Sequence, residues 1–304
     1  MYSAIARNKR TTVILIVTYV SLIVALGVAM SVALKSVWPV IILSVLTAVH
    51  VLWAWFGAER ACEQAMRSHN VGARDEPRFY RTVETLAIRN GMPMPRLKVQ
   101  EESFINAYAM GMRPEKSVVG VTRGALNELD NTELEAVMAH EMSHLKNGDS
   151  RMNILIASLV QFMQIIVIVL ILGAGTASDN NQSKDKDSRA GGAALGVLLL
   201  VVAIPFILVG FIIGPIVNAA VSRQREFLAD ASGVEMTRFV PGMVGLFRKL
   251  EMQEFGTTGA AKGPVLGIFY TYRRPRRGIA YLFTATHPHT FKRIERVEEM
   301  ERNF

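Results

Sequence analysis

Residues 131–148 read NTELEAVMAHEMSHLKNG, and the pair of histidines in HEMSH at 140–144 decides how the rest of the chain is read. Asp130 stands just before this stretch and Glu133 follows three residues later, the spacing at which a cap side chain and an N3 carboxylate satisfy each other's backbone N–H groups. Asn147-Gly148 supplies the stop, because glycine adopts the left-handed conformation that ends a helix. The spacing therefore predicts a helix over Asn131–Lys146. On a helix, residues four apart share a face, so His140 and His144 can converge on one ion at the roughly 2.0–2.1 Å that zinc requires. Glu141 then sits beside the ion rather than on it, where it can take a proton from water and pass it to a leaving amine. The plainer alternative is an exposed helix face with two ordinary histidines and a solvated glutamate.

A catalytic zinc site has three protein ligands and one open position, so a further donor must come from elsewhere in the chain. Ser222–Gly233, SRQREFLADASG, puts Glu226 and Asp230 four residues apart on one helical face. Glu226 is the expected third ligand. Asp230 is expected to accept a hydrogen bond from a ligating histidine and so fix its tautomer and direction. Without HEMSH, the same stretch reads as a surface acid pair beside Arg223 and Arg225. Of the remaining histidines, His50 lies in an apolar run where an interhelical hydrogen bond is the expected role, and His69 lies in a polar, solvated stretch.

Outward from these motifs the composition alternates between lipid-soluble and ordinary: 50% of the 304 residues are hydrophobic, yet 20% are charged. Four stretches, at 11–34, 37–57, 152–178 and 191–222, contain no Asp, Glu, Lys or Arg. Each reaches the about 20 residues needed to cross a bilayer as a helix. The first is too long for a cleaved leader and reads as a retained anchor, while the last carries Pro205 and Pro215, where it can kink. A buried hairpin inside a globular core is the alternative for the last two. Basic residues flank the spans at Arg7, Lys9, Arg10, Arg60, Arg67, Lys146, Arg151, Arg223 and Arg225, which assigns those flanks and both termini to the cytoplasm. The net charge of +8 is explained by these flanks; no aromatic-basic RNA motif or recognition helix accompanies it, so no nucleic-acid partner is expected. The single cysteine, Cys62, requires no oxidising compartment.

Between the second and third spans, Pro77–Asn90 reads as an amphipathic helix stopped by Asn90-Gly91. Three strand-like segments follow, RLKVQE from Arg96, FINAYAMG from Phe104 and KSVVGVT from Lys116, suggesting a small antiparallel sheet. The loop SDNNQSKDKDSRAGG from Ser178 has the composition of a flexible connector. The expected fold is an α+β membrane protein, mainly helical, with that sheet and four transmembrane helices. Its organisation is a hydrophobic hairpin at 1–58, a cytoplasmic protease region at 59–151, a second hairpin at 152–222 and a cytoplasmic region at 223–304 that completes the metal site.

HEMSH and SRQREFLAD, set around a hydrophobic hairpin and preceded by two anchors, resemble the HtpX heat-shock membrane proteases, relatives of the type I CAAX prenyl proteases. The resemblance covers essentially the whole chain. It implies a gluzincin site with one zinc on His140, His144 and Glu226, Glu141 as base, and a quality-control protease of the inner membrane acting on misfolded membrane proteins. It further implies that NAYAMG, with Asn106 and Ala107, is a strand beside the cleft to which substrate backbone adds. THPHTFKRI matches the family's late His-Pro element, implying that His287 stabilises the oxyanion and Arg293 organises the cleft. His289 departs from the pattern by replacing an expected proline, and the arginines at 273, 274, 276 and 277 have no counterpart and read as a solvated or headgroup-facing loop. Two other functions remain open: prenyl-protein processing, and a non-catalytic metal-binding membrane scaffold.

Overall fold

The computed structural model describes residues 2–111, 114–179, 214–256 and 290–302, together with parts of 194–208. The chain divides into two units, one of residues 1–10, 57–154 and 218–304, the other of residues 11–56 and 155–217.

The second unit is built from most of α1 (Tyr2–Ala33), α2 (Trp38–Phe56) and most of α7 (Asp149–Asp179). Trp38–Phe56 and Ser158–Thr176 are each long and apolar enough to cross a membrane, and Ile16–Val32 is an apolar stretch of 17 residues. Of the four expected spans, two are therefore found at full length among the described residues, and the fourth, 191–222, falls partly outside them. Tyr19, Ile23 and Leu26 pack against Leu159, Met163 and Ile166. Val17, Val45, Leu52 and Leu172 remain exposed, an outer surface suited to hydrocarbon. His50 stacks on Phe162, with ring centroids 4.1 Å apart. Gly27 permits α1 and α2 to meet, since a Cβ there would lie 2.8 Å from Val40 Cα.

In the first unit α3 (Ala58–Ala65) leads to a two-residue strand, β1 (His69–Asn70), and then to α4 (Pro77–Arg89). Proline opens α4, and Phe79, Val83, Leu86 and Ala87 form its buried stripe at helical spacing. Gly91 ends it with φ 61°. Strands β2 (Arg96–Gln100), β3 (Ala107–Met110) and β4 (Val118–Thr122) complete a sheet of order β1-β2-β4-β3. The expected antiparallel sheet is corrected here to a mixed one: β1 with β2 and β3 with β4 are antiparallel, but β2 and β4 are parallel. The reason lies in β4, VVGVT, which is buried at all five positions and so needs a neighbour on both edges and cover on both faces. It folds back from β3 into the centre, next to β2, rather than extending the sheet outward. Gly120 lets β4 pair with β3, because the Tyr108 ring lies where a Cβ would be.

The remaining helices are α5 (Arg123–Glu128), α6 (Asn131–Asn147), α8 (Gly214–Thr237), α9 (Val240–Gly256) and α10 (Thr290–Glu301). Helix α6 is packed among α4, β3, β4 and α9 at the centre of the main core. Arg78 of α4 donates to the carbonyls of Leu126 at 3.2 Å, Leu129 and Asp130 at 3.2 Å, capturing orphan acceptors just before α6 begins.

Candidate metal centre

Helix α6 begins as its sequence requires. Asp130 Oδ1 accepts from the N–H groups of Thr132 at 2.8 Å and Glu133 at 2.9 Å, and Glu133 Oε2 accepts from Asp130 N–H at 2.8 Å. This reciprocal cap contributes about 1 kcal/mol, and Lys249 Nζ of α9 reinforces it by donating to Glu133 Oε2 at 2.6 Å and Glu128 O at 2.7 Å. Gly148, with φ 72°, closes the helix.

Helix α8 crosses α6 at a glycine. A Cβ on Gly233 would meet His140 N at 3.2 Å and Cα at 3.3 Å, so only glycine admits this approach without displacement. Ser143 Oγ adds a polar tie, donating to either His140 O at 2.7 Å or Ala229 O at 3.2 Å. The approach brings Glu226 between the two histidines. Its Oε2 lies 3.5 Å from His140 Nε2, and its Oε1 lies 3.6 Å from His144 Nε2. One donor atom from each of the three residues falls within 4.8 Å of the others.

The opposite nitrogens of both rings are held by carboxylates. Asp230 Oδ1 is 2.9 Å from His140 Nδ1, as expected of an orienting acid. Arg293 of α10 donates twice to Asp230, Nε to Oδ2 at 2.8 Å and Nη2 to Oδ1 at 2.6 Å, and its guanidinium stacks over Phe247 at 4.4 Å. Asp149, which sequence reasoning did not single out, is fully buried with Oδ2 3.3 Å from His144 Nδ1. The Asn-Gly-Asp turn after the helix was the available signal. With Nδ1–H given to a carboxylate, each ring presents the Nε2 lone pair to an ion.

Charge accounting favours a divalent cation. Glu141, Asp149, Glu226 and Asp230 are buried at 5% exposure or less, against Arg225 and Arg293 at 6% and 4%. Among the described residues these four carboxylates and two guanidiniums leave two negative charges, and buried charge must be balanced. Burial alone would lower the pKa of His140, but hydrogen bonds to Asp230 and Glu226 push it up to about 10. His144 is likewise raised against its burial, chiefly by Asp149. Asp230 is held below the usual carboxylate range: burial opposes this, and the charge of Arg293 and hydrogen bonds from Arg293 and His140 outweigh it.

The structure brings together His140, Glu141, His144, Glu226, Asp230 and Arg293. Arg293 donates to Asp230 and its Nη2 lies 3.6 Å from Glu226 Oε2. Asn106 and Ala107 are buried at the start of β3, the terminal strand of the described sheet; Asn106 N–H donates to Thr122 Oγ1 at 2.9 Å. His287, His289 and the arginines at 273–277 lie outside the described residues.

Residues 73–301 match the family model for Peptidase family M48. A "Protease HtpX homolog" of Listeria monocytogenes serotype 4b is 31% identical over 309 residues, covering 99% of this chain and 100% of the relative. One from Tropheryma whipplei is 33% identical over 304 residues, covering 100% of both. The crystal structure of S. mikatae Ste24p is similar in fold, with a TM-score of 0.50 at 17% identity; the match covers 83% of this chain and 57% of that one. By a family match that includes both metal motifs and by full-length relatives above 30% identity, the chain belongs to peptidase family M48, as a membrane metalloendopeptidase that uses zinc and cleaves protein substrates.

Proposed function

We propose that His140, His144 and Glu226 hold the zinc, that Glu141 is the general base, and that the protein hydrolyses peptide bonds in misfolded or damaged membrane proteins. The observation that carries the ligand assignment is the convergence of two imidazoles and one carboxylate inside a buried set of charges that, among the described residues, is short by two positive units. When bound, zinc supplies Lewis acidity and lowers the pKa of a water from 15.7 to about 7. The protein's own groups do the rest. Glu141 takes the proton of the attacking water and delivers it to the departing amine, a role that contributes about 10²–10⁴-fold to rate. Asp230, anchored by Arg293, keeps His140 aimed at the site. Substrate backbone adds along Asn106–Ala107, where α6 packs against β3, and His287 stabilises the oxyanion.

In this reading the hairpins at 1–58 and 152–222 anchor the protein in a bacterial-type inner membrane. The regions at 59–151 and 223–304 form the cytoplasmic protease, and all four apolar stretches cross the bilayer. The basic flanks and the two full-length apolar helices support this topology. Anchorage in the membrane makes cytoplasmic loops and extracted segments of membrane proteins the natural substrates in this reading. Prenyl-protein processing, implied by the sequence resemblance to relatives of the type I CAAX prenyl proteases, is a second reading, ranked below because those proteases have more membrane spans than the four read here.

The test uses the full chain in detergent with zinc. Glu141→Gln is expected to keep its metal and lose cleavage of an unfolded protein. Equal cleavage by wild type and variant rejects Glu141 as base, and cleavage restricted to prenylated peptides selects the second reading.

A further inference from the structure

Thr122 N–H of β4 donates to Asn106 O at 3.0 Å, and from there β3 runs with Ala107 opposite Val121, Tyr108 opposite Gly120 and Ala109 opposite Val119. Hydrogen-bonded residues alternate along an antiparallel pair. Tyr108 therefore follows Asn106 in turning its N–H and C=O toward β4, while Ala107 and Ala109 turn theirs to the other side. That side is the terminal edge of the described sheet, and a strand added there would bond to the backbone of Ala107 and Ala109. At Ala109 the place is taken. Ser150 Oγ, in the first turn of α7, donates to Ala109 O at 3.1 Å. Ser150 is 3% exposed and Ala109 6%, so a substrate N–H reaches that carbonyl only by displacing the hydroxyl.

We propose that Ser150 is the register stop of the substrate strand: it closes β3 at Ala109 and confines substrate pairing to the preceding Asn106–Ala107 segment. The proposal rests on the reading that substrate backbone adds along that segment.

A stop of this kind decides which bond is cut. Main-chain pairing repeats every second residue, so an edge open along its whole length accepts an extended chain in several registers. Each shift by one repeat moves the substrate by about 7 Å, and β3 packs against α6, the helix that carries both histidines. With Ala109 closed, the register displaced toward it is lost. Ser150 reaches the strand because Gly148, with φ 72°, turns the chain out of α6 two residues earlier. An added antiparallel strand, the more stable pairing, runs opposite to β3. The substrate residue that would meet Ala109 is thus two positions N-terminal to the one that meets Ala107.

The experiment compares wild type, Ser150→Ala and Ser150→Thr as full zinc-loaded chains in detergent. The probe is a quenched fluorescent peptide carrying a bond that the wild type cuts in unfolded casein. Each amide outside that bond is replaced in turn by an ester, which deletes one N–H donor. In the wild type, kcat/KM is expected to fall about fivefold at one position, the factor of one net hydrogen bond, and to stay within about twofold two residues N-terminal of it, where no such bond is made. Ser150→Ala should acquire a second sensitive position there, and mass spectrometry of the casein fragments should show new cuts displaced by two residues. Ser150→Thr, which keeps the hydroxyl, should retain the wild-type pattern. A residue that only filled the core would not change which esters matter. Two sensitive positions of this spacing in the wild type, or none gained by Ser150→Ala, overturn the proposal; the first result needs no variant to fold. An ester scan without effect at any position in the wild type instead overturns the strand-addition reading on which the proposal rests.

Discussion

Replacing Gly233 with alanine sets two energies of opposite sign against each other. In the interior of α8, alanine is favoured over glycine by about 1 kcal/mol through helix propensity alone. The new Cβ would meet Met243 Cε at 3.0 Å, which can swing aside, and His140 N and Cα at 3.2 and 3.3 Å, which cannot. Forcing a methyl into such a contact costs about 1–3 kcal/mol, leaving a net loss of about 1 kcal/mol. The backbone of His140 must retreat by a few tenths of an ångström. Metal–ligand distances tolerate only about 0.2 Å, so zinc should bind about tenfold more weakly, equivalent to about 1.4 kcal/mol. Thermal unfolding without metal and chelator competition measure the two effects separately. A Gly233→Ala protein that is more stable than wild type and binds zinc equally well would refute the argument that α8 and α6 touch at His140.

Gly120→Ala should destabilise the sheet by about 3 kcal/mol through overpacking, because its Cβ would lie 2.1 Å from Tyr108 Cζ; denaturant titration of Gly120→Ala with and without Tyr108→Leu should show the second change recovering stability. Asp130→Ala removes the cap of α6 and should cost about 1–2 kcal/mol, read by the same titration. Cys62, raised to about 11 first by burial and then by the charge of Glu59, should resist disulfide reagents at pH 8 until the protein unfolds. Folding favours its protonated form, so the associated stability is complete below the unfolded value of 9.0 and disappears as pH rises through about 11.

Much of the site was legible because its signals are local. The cap at Asp130, the stop at Gly148 and the four-residue spacing of His140 and His144 all concern one helix, where geometry follows from chain periodicity. The stripe of α4 was readable for the same reason. Asp230 was recognised as an orienting acid, yet which histidine it serves depends on how α8 crosses α6. Asp149 escaped notice because an aspartate after Asn-Gly reads as an ordinary acid at a helix start. Arg225 reads as a surface cation beside a span, and only packing buries it.

By itself, then, the amino-acid sequence determined which helices form, which side chains share a face, and that a zinc-type donor set is present. The tertiary structure alone decided that β4 enters between β2 and β3, that Arg293 reaches Asp230 across 63 positions, and that two acids hold two imidazoles from behind. The division has a physical cause. Helical period and capping are set by neighbours within a few residues, whereas strand order and the neutralisation of buried charge depend on segments that meet only when the apolar core closes around them.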